Sequence, residues 1–401
     1  MKRIFIIGAG PGDCSLLTGE AKAIIDGSGC IIAHGRFLKD YADSGKDLVE
    51  SVDPHEIAAR IEAHDAGDVS VLVSGDAGFY SLGKKLAGML GELSEVKTIS
   101  GVSSVAYFCA RTQSSWDDAL LLSLHGRTAN VPGKVKRNGK VIMLTDEVCT
   151  PNRIASELCE NGLEDVVLTV GENLSLEGER ITSATAREAA MMRFSGLCVV
   201  QAENPRPKER EFIRDCDFIR GDAPMTKQEV RLLSVSKLRL SSRDVVYDVG
   251  AGTGSVSVEM ALQIPDGTVF ALERDEAALK LISENKRRFG AANLQIVSGD
   301  AENSMLSLPA PDKAFIGGSG GKLPAILDAI HGKNAAAGVV VNAVTLETLC
   351  EAAGYYKGKG GYSLEVIQAG ISRAASMGGH RMMKAENPVF IISAEMKGEG
   401  S

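Results

Sequence analysis

Asp248-Val249-Gly250-Ala251-Gly252-Thr253-Gly254-Ser255 alternates three glycines with other residues, directly after an apolar run at Val245–Val249 and before a helix-like stretch. Strand, glycine turn and helix together bring backbone N–H groups close to a ligand, because residues without a Cβ let the chain approach it. Ser255 stands where a dinucleotide fingerprint would place its last glycine, so a nicotinamide cofactor is disfavoured. A second run, Thr268–Leu272, ends on Glu273. That acid lies about 20 residues past the first glycine, where it can accept the ribose hydroxyls of an adenosine-containing cofactor. Ser298-Gly299-Asp300-Ala301 closes the next run, where an adenine would lie. Plainer readings stand beside these: a tight turn with no ligand, an ordinary surface acid at Glu273, and an Asp248 that only braces the loop.

Two further segments belong to the same half. In Pro224-Met225-Thr226-Lys227-Gln228-Glu229-Val230-Arg231, Thr226 and Glu229 have the spacing of a capping box opening an apolar helix, which alone would explain Thr226. Phe315-Ile316-Gly317-Gly318-Ser319-Gly320-Gly321 lies where methyltransferases of nucleic-acid amines carry an Asn-Pro-Pro-Tyr-like motif, which makes a base amine a poor candidate acceptor. In the first half, Gly8-Ala9-Gly10-Pro11-Gly12-Asp13 follows the first strand-like run and again fails the dinucleotide spacing. Ser74-Gly75-Asp76-Ala77-Gly78-Phe79-Tyr80, Ser100-Gly101-Val102-Ser103-Ser104, Ser123-Leu124-His125-Gly126-Arg127, Leu144-Thr145-Asp146 and Gly171-Glu172-Asn173-Leu174 come later. Any one of these alone is compatible with a plain loop.

The elements that must position these residues are apolar runs alternating with helical segments. The runs are Arg3–Ile7, Val69–Val73, Lys140–Leu144, Val166–Val170, Cys198–Gln201, Val245–Val249, Thr268–Leu272, Ala314–Ile316 and Gly338–Asn342. That alternation predicts α/β architecture with parallel layers throughout. A polar break near Arg111–Asp118 divides the first half into two lobes, and the polar, proline-bearing stretch from Asn204 to Glu211 marks a boundary. The expected organisation is a domain over 1–203, a linker over 204–215 and a second domain over 216–401.

With 44% hydrophobic and 24% charged residues among 401, and no apolar run of the roughly 18 residues a span requires, the sequence predicts a soluble protein. The start lacks a small-residue cleavage site, so it reads as a strand and not a leader. Eight scattered cysteines, with no C-x-x-C and no Cys/His cluster in the sequence, argue against a zinc site or disulfide framework and for a reducing cytoplasm. The net charge of −8 disfavours nonspecific nucleic-acid binding. Five basic residues and no acid lie between Arg127 and Lys140, either a complementary patch for a small polyanion or a solvated loop.

Asp248-x-Gly-x-Gly-x-Gly, then Glu273, then Gly-Asp-Ala resembles the class I S-adenosylmethionine methyltransferases. The Pro224–Arg231 and Gly317–Gly321 motifs are similar to those of the decarboxylating C15-methyltransferases of corrin synthesis. The order of first-half motifs resembles the tetrapyrrole methylase superfamily, in particular its C5-methyltransferase branch, over residues 1 to about 203. Ala77 departs from the Gly-Asp-Pro common there. The fold implied is a two-lobed tetrapyrrole methylase domain followed by a Rossmann-like class I domain. The activity implied is bifunctional methylation of C5 and C15 of a precorrin-6-type ring in cobalamin biosynthesis. Methyls come from S-adenosylmethionine, the ring C acetate is decarboxylated, and the product is of precorrin-8 type.

The resemblance also implies two cofactor sites: Gly75, Asp76, Gly78, Ser103, Ser104, Leu144 and Thr145 in one, and Thr226, Gly250, Ala251, Gly252, Thr253, Gly254, Glu273 and Ala301 in the other. Because the acceptor bears carboxylates, Arg127, Arg137, Arg373 and Arg381 are candidate partners for it, as is His125, although each arginine singly could be a surface residue and His125 a buried, hydrogen-bonded one. Gly317 and Gly318 would let a flat macrocycle approach the backbone. No dedicated nucleophile and no metal are expected. A homo-oligomer is possible. The competing readings are an RNA methyltransferase and a nonenzymatic sensor of the cofactor; affinity for a corrin precursor or for RNA separates them.

Overall fold

The computed structural model describes residues 3–64, 67–90, 95–126, 129–207, 213–377 and 379–397. The chain forms two compact units: residues 1–128, 138–156 and 164–205, and residues 129–137, 157–163 and 206–401.

The first unit contains two five-stranded sheets. One is built from β1 (Arg3–Gly8), β2 (Cys30–Ala33), β3 (Asp47–Glu50), β4 (Val69–Val73) and β5 (Glu95–Ile99) in the order β3-β2-β4-β1-β5. Every pairing in it is parallel. Its central strands read as unbroken apolar runs because helices cover both faces. Ile4, Ile6 and Ile7 are fully buried, each worth about 1.5–3 kcal/mol of transfer free energy.

The other sheet takes β6 (Leu120–Ser123), β7 (Lys140–Leu144), β8 (Val167–Glu172), β9 (Arg180–Thr185) and β10 (Cys198–Glu203) in the order β6-β7-β10-β8-β9. Only β6 and β7 pair parallel; the other three pairings are antiparallel. The expectation of parallel layers throughout is corrected here. β8 runs into β9 through a short turn, and β9 keeps a largely solvent-facing pattern that a strand buried on both faces would not have.

The second unit carries a seven-stranded sheet of β11 (Val245–Val249), β12 (Thr268–Glu273), β13 (Leu294–Ser298), β14 (Lys313–Ile316), β15 (Gly338–Ala343), β16 (Tyr362–Ala369) and β19 (Val389–Met396). A separate hairpin joins β17 (Ser372–Met377) to β18 (His380–Ala385). The sheet order is β13-β12-β11-β14-β15-β19-β16, parallel through β15 and antiparallel at its β19 pairings. After β13 the chain returns to the far side of β11. The carboxyl ends of β11 and β14 therefore flank a topological switch point, where open α/β sheets bind ligands. The expected linker is shorter than 204–215: Ile213 packs into this unit's core, and Asp215 opens a short 3-10 turn. Among the described residues, no helix is long and apolar enough to cross a membrane.

Candidate functional sites

In the second unit, Gly250, Gly252 and Gly254 all have left-handed backbone, with φ of 71°, 56° and 75°. A Cβ on Gly250 would lie 2.6 Å from the Gly318 carbonyl oxygen, and one on Gly252 would lie 2.8 Å from that of Pro224. The glycine turn is thus pressed between the loop after β14 and the segment before helix Gln228–Leu238. A cavity of about 310 Å³ opens there, lined by Pro224, Thr226, Asp248, Gly250, Ala251, Gly252, Glu273, Ala301, Gly317 and Gly318, among others. Thr253 and Gly254 are outside its lining. Thr253 is buried, its Oγ1 makes no hydrogen bond, and its carbonyl accepts from Asn285.

Glu273 is held by backbone: Gly252 N–H donates to Oε2 at 2.8 Å, and the Arg274 and Asp275 N–H groups donate to Oε1 at 2.8 and 3.0 Å. A carboxylate offers about four lone-pair sites, so acceptor capacity remains for a ribose hydroxyl. Asp248 is wholly buried. Ser257 Oγ donates to its Oδ2, whereas Oδ1 has no partner. Burial, with the neighbouring Glu273 charge adding to it, pushes its pKa up to about 7. Blocked Cβ positions on the glycine turn and an unsatisfied acceptor in the same wall fit a close-bound polar cofactor such as S-adenosylmethionine.

The capping box expected at Thr226 does not form. Lys227 is the N-cap, without a side-chain cap bond, and Glu229 turns to the Arg373 guanidinium, accepting from Nη1 at 3.1 Å. Nε of Arg373 donates to Glu386 at 2.7 Å. Arg373 is therefore committed to two carboxylates, which hold its pKa above the ordinary arginine value. Arg381 is an exposed residue of β18, and neither arginine lines the cavity. The cations that do line it are Arg274 and Lys322, and each already faces acids: Arg274 lies 3.7 Å from Asp300, while Lys322 bonds Glu302.

In the first unit, Gly8, Gly75 and Gly101 meet backbone to backbone. A Cβ on Gly101 would come within 2.2 Å of the Gly8 carbonyl oxygen, and Gly10 and Gly75 exchange hydrogen bonds at 3.1 and 2.8 Å. Asp76 stitches these turns, accepting from Gly78 N–H at 2.8 Å and from Gly101 N–H at 2.9 Å. Ser103 caps helix Ser104–Thr112 by accepting from Ala106 N–H. Thr145 Oγ1 donates to the Cys198 carbonyl at 2.9 Å. A cavity of about 510 Å³ is lined by Gly75, Asp76, Ser103, Ser104, Leu144, Thr145 and His125; Gly78 is not part of its wall. His125 is exposed, which removes the buried alternative. The three-glycine cradle fits a cofactor held through backbone.

Arg127 falls outside the described residues. Arg137 donates from Nη2 to the Leu262 carbonyl, and Lys134 pairs with Asp266 at 2.8 Å, so these members of the basic run are engaged by the protein itself. The sequence reading missed His34, Arg36 and Phe37, and gave no site role to the Phe79 and Tyr80 of its glycine motif; all five line the first cavity. Its reading of the second half missed Arg274 and Lys322. The signal available was position: His34 to Phe37 directly follows β2, and Arg274 directly follows β12, both at carboxyl ends of parallel strands.

Each of the two α/β units carries a glycine-cradled cavity, and the similarity to known families makes both units methyltransferase domains. Tetrapyrrole (corrin/porphyrin) methylases match residues 3–190, and the precorrin methyltransferase domain matches residues 217–396. A decarboxylating precorrin-6Y C(5,15)-methyltransferase of Sinorhizobium sp is 30% identical over 336 residues, covering 82% of this chain and 80% of that protein. The chain belongs to the family of decarboxylating precorrin-6Y C5,15-methyltransferases. A cobalt-precorrin-6B C(15)-methyltransferase (decarboxylating) of Salmonella typhimurium is 39% identical over 185 residues, 46% of this chain and 95% of the relative. The crystal structure of precorrin-6Y C5,15-methyltransferase from Geobacter metallireducens GS-15 covers 46% of this chain and 96% of its own, at 39% identity and a TM-score of 0.44.

Proposed function

We propose that the first unit methylates C5 of a precorrin-6Y-type macrocycle, and that the second methylates C15 and removes carbon dioxide from the ring C acetate. The observation that carries this reading is the presence of two separately built glycine-cradled cavities in one chain of this family. S-adenosylmethionine, when bound, supplies the sulfonium methyl. In that transfer the carbon–methyl bond would form from an electron pair of the meso carbon as the sulfur–methyl bond broke, a thioether would leave, and the ring would give up a proton to solvent. Loss of carbon dioxide leaves its electron pair to the conjugated ring, and the acetate carbon takes a proton.

The residues supply positioning more than acid–base work. Glu273, fixed by three backbone donors, orients the ribose, and the Gly317–Gly318 backbone admits the flat ring beside the methyl. In the first unit Gly75, Ser103, Ser104, Leu144 and Thr145 form the cofactor wall. Family membership displaces the RNA-methyltransferase reading. The eight cysteines, none of them in a disulfide, suit a reducing cytoplasm, and a homo-oligomer is part of the same reading.

The test is incubation of the full chain with S-adenosylmethionine and metal-free or cobalt-bearing precorrin-6Y, followed by product mass. Two added methyls and one lost carbon dioxide are expected. Cofactor binding with neither change on either ring would refute the reading.

A further inference from the structure

Among the described residues, Arg36 is the only lysine or arginine lining the first unit's cavity. It lies just beyond β2, with Cζ 4.7 Å from the centre of the Phe37 ring. Its Nη2 donates to Ser74 Oγ at 2.7 Å, while Nε is buried and makes no hydrogen bond. The nearby acid Glu50 is turned to the Gly35 N–H, from which it accepts at 3.0 Å. Burial is the cause that lowers the pKa of Arg36, with no carboxylate raising it in compensation.

A desolvated guanidinium without a counter-ion is costly to hold, and that cost is recovered when an anion arrives with the ligand. Ser74 takes one of the five guanidinium N–H donors, and the planar fork that carries the others matches the two oxygens of a carboxylate. Phe37, Phe79 and Tyr80 share the same cavity and offer aromatic faces to a flat ring. We infer that Arg36 receives a side-chain carboxylate of the macrocycle and thereby fixes how the ring is held for methylation in the first unit. This rests on the proposed function. The cofactor's amino-acid carboxylate is the same chemistry from a second source, so the test must separate the two.

Full-length wild type, R36M and R36K are compared for methyl transfer to C5 of precorrin-6Y and for S-adenosylhomocysteine binding by calorimetry. R36M is expected to raise the KM for the tetrapyrrole at least about tenfold, with kcat within about threefold and both S-adenosylhomocysteine-binding events intact. R36K should recover part of the loss, since it restores charge without the planar fork. An unchanged KM in R36M overturns the inference. Weakened S-adenosylhomocysteine binding at one of the two sites with KM unchanged also overturns it and assigns the carboxylate to the cofactor. Wild type that adds no methyl to this ring overturns both the inference and the function beneath it.

Discussion

Arg36 in the first unit and Arg231 in the second are both substantially buried, and their surroundings are opposite. Arg231 is fully enclosed: Nη1 lies 3.1 Å from Asp215 and donates to the Thr226 carbonyl at 3.0 Å, Nη2 donates to the Ile213 carbonyl at 2.6 Å, and Nε, which like that of Arg36 makes no hydrogen bond, is 3.6 Å from the Glu259 carboxylate. Phe218 lies beneath it, 4.9 Å from ring centre to Cζ. Arg36 has a serine and an aromatic ring. The cavities repeat the contrast, because the second pairs Arg274 and Lys322 with Asp300 and Glu302, while in the first Arg36 bonds Ser74 and the acid in the same wall, Asp76, accepts from the Gly78 and Gly101 N–H groups. A guanidinium surrounded by its own carboxylates is part of the scaffold. One that stands half-buried in a cavity wall, bonded to a serine and, among the described residues, to no carboxylate, is available to something that is not part of the chain.

The largest expected effect comes from removing the scaffold arginine. Arg231→Met leaves Asp215 and Glu259 without their cation and should cost about 3–5 kcal/mol of unfolding free energy in the second unit. Arg36→Met strands only the Ser74 hydroxyl and should remain within about 1 kcal/mol of wild type. Denaturant unfolding checks both, and equal losses would break the contrast.

A middle-sized effect separates the two cradles. Gly250→Ala forces a Cβ toward the Gly318 carbonyl in left-handed backbone, and Gly101→Ala forces one toward the Gly8 carbonyl, each at a cost of about 1–3 kcal/mol. Each variant should reduce S-adenosylhomocysteine binding from two events per chain to one, at opposite sites. Loss of both events from a single substitution would show that the cradles are not separate.

The smallest effect lies in pH dependence. The folded pKa of Asp248 is raised from 3.8 to about 7. Its protonated form therefore favours the fold fully below pH 3.8, and that contribution is lost as pH rises through about 7. Asp248→Asn should flatten the decline of second-unit stability between those values, read as Tm against pH. An identical profile in the variant would mean that Asp248 stays ionised in the fold.

Contiguous signals were legible in the sequence. Val69–Val73 and Val245–Val249 are strands at the expected bounds, because short valine-rich runs that end at a glycine-bearing turn favour a strand. The turn at Gly250–Gly254 and the acid at Glu273 could be read together, since one strand, one turn and one helix fix their spacing. The antiparallel pairings of β8, β9 and β10 could not, because a short apolar run has the same appearance in either direction. The capping box at Thr226 looked complete in sequence. It failed because a guanidinium 144 residues away competes for Glu229 more strongly than a backbone N–H does.

The arginines show where sequence stops. The order of the motifs, through their resemblance to known families, pointed to two methyltransferase units with glycine turns after strands, because those features are local. They did not determine which cations face a ligand. Arg137 and Arg373, chosen by type, are occupied by a carbonyl and by two carboxylates, whereas Arg36, which no motif marks, stands in a cavity wall with its Nε unbonded. A charged side chain is satisfied by whatever the fold brings within about 3 Å of it, and only the meeting of strand ends far apart in sequence decides what that is.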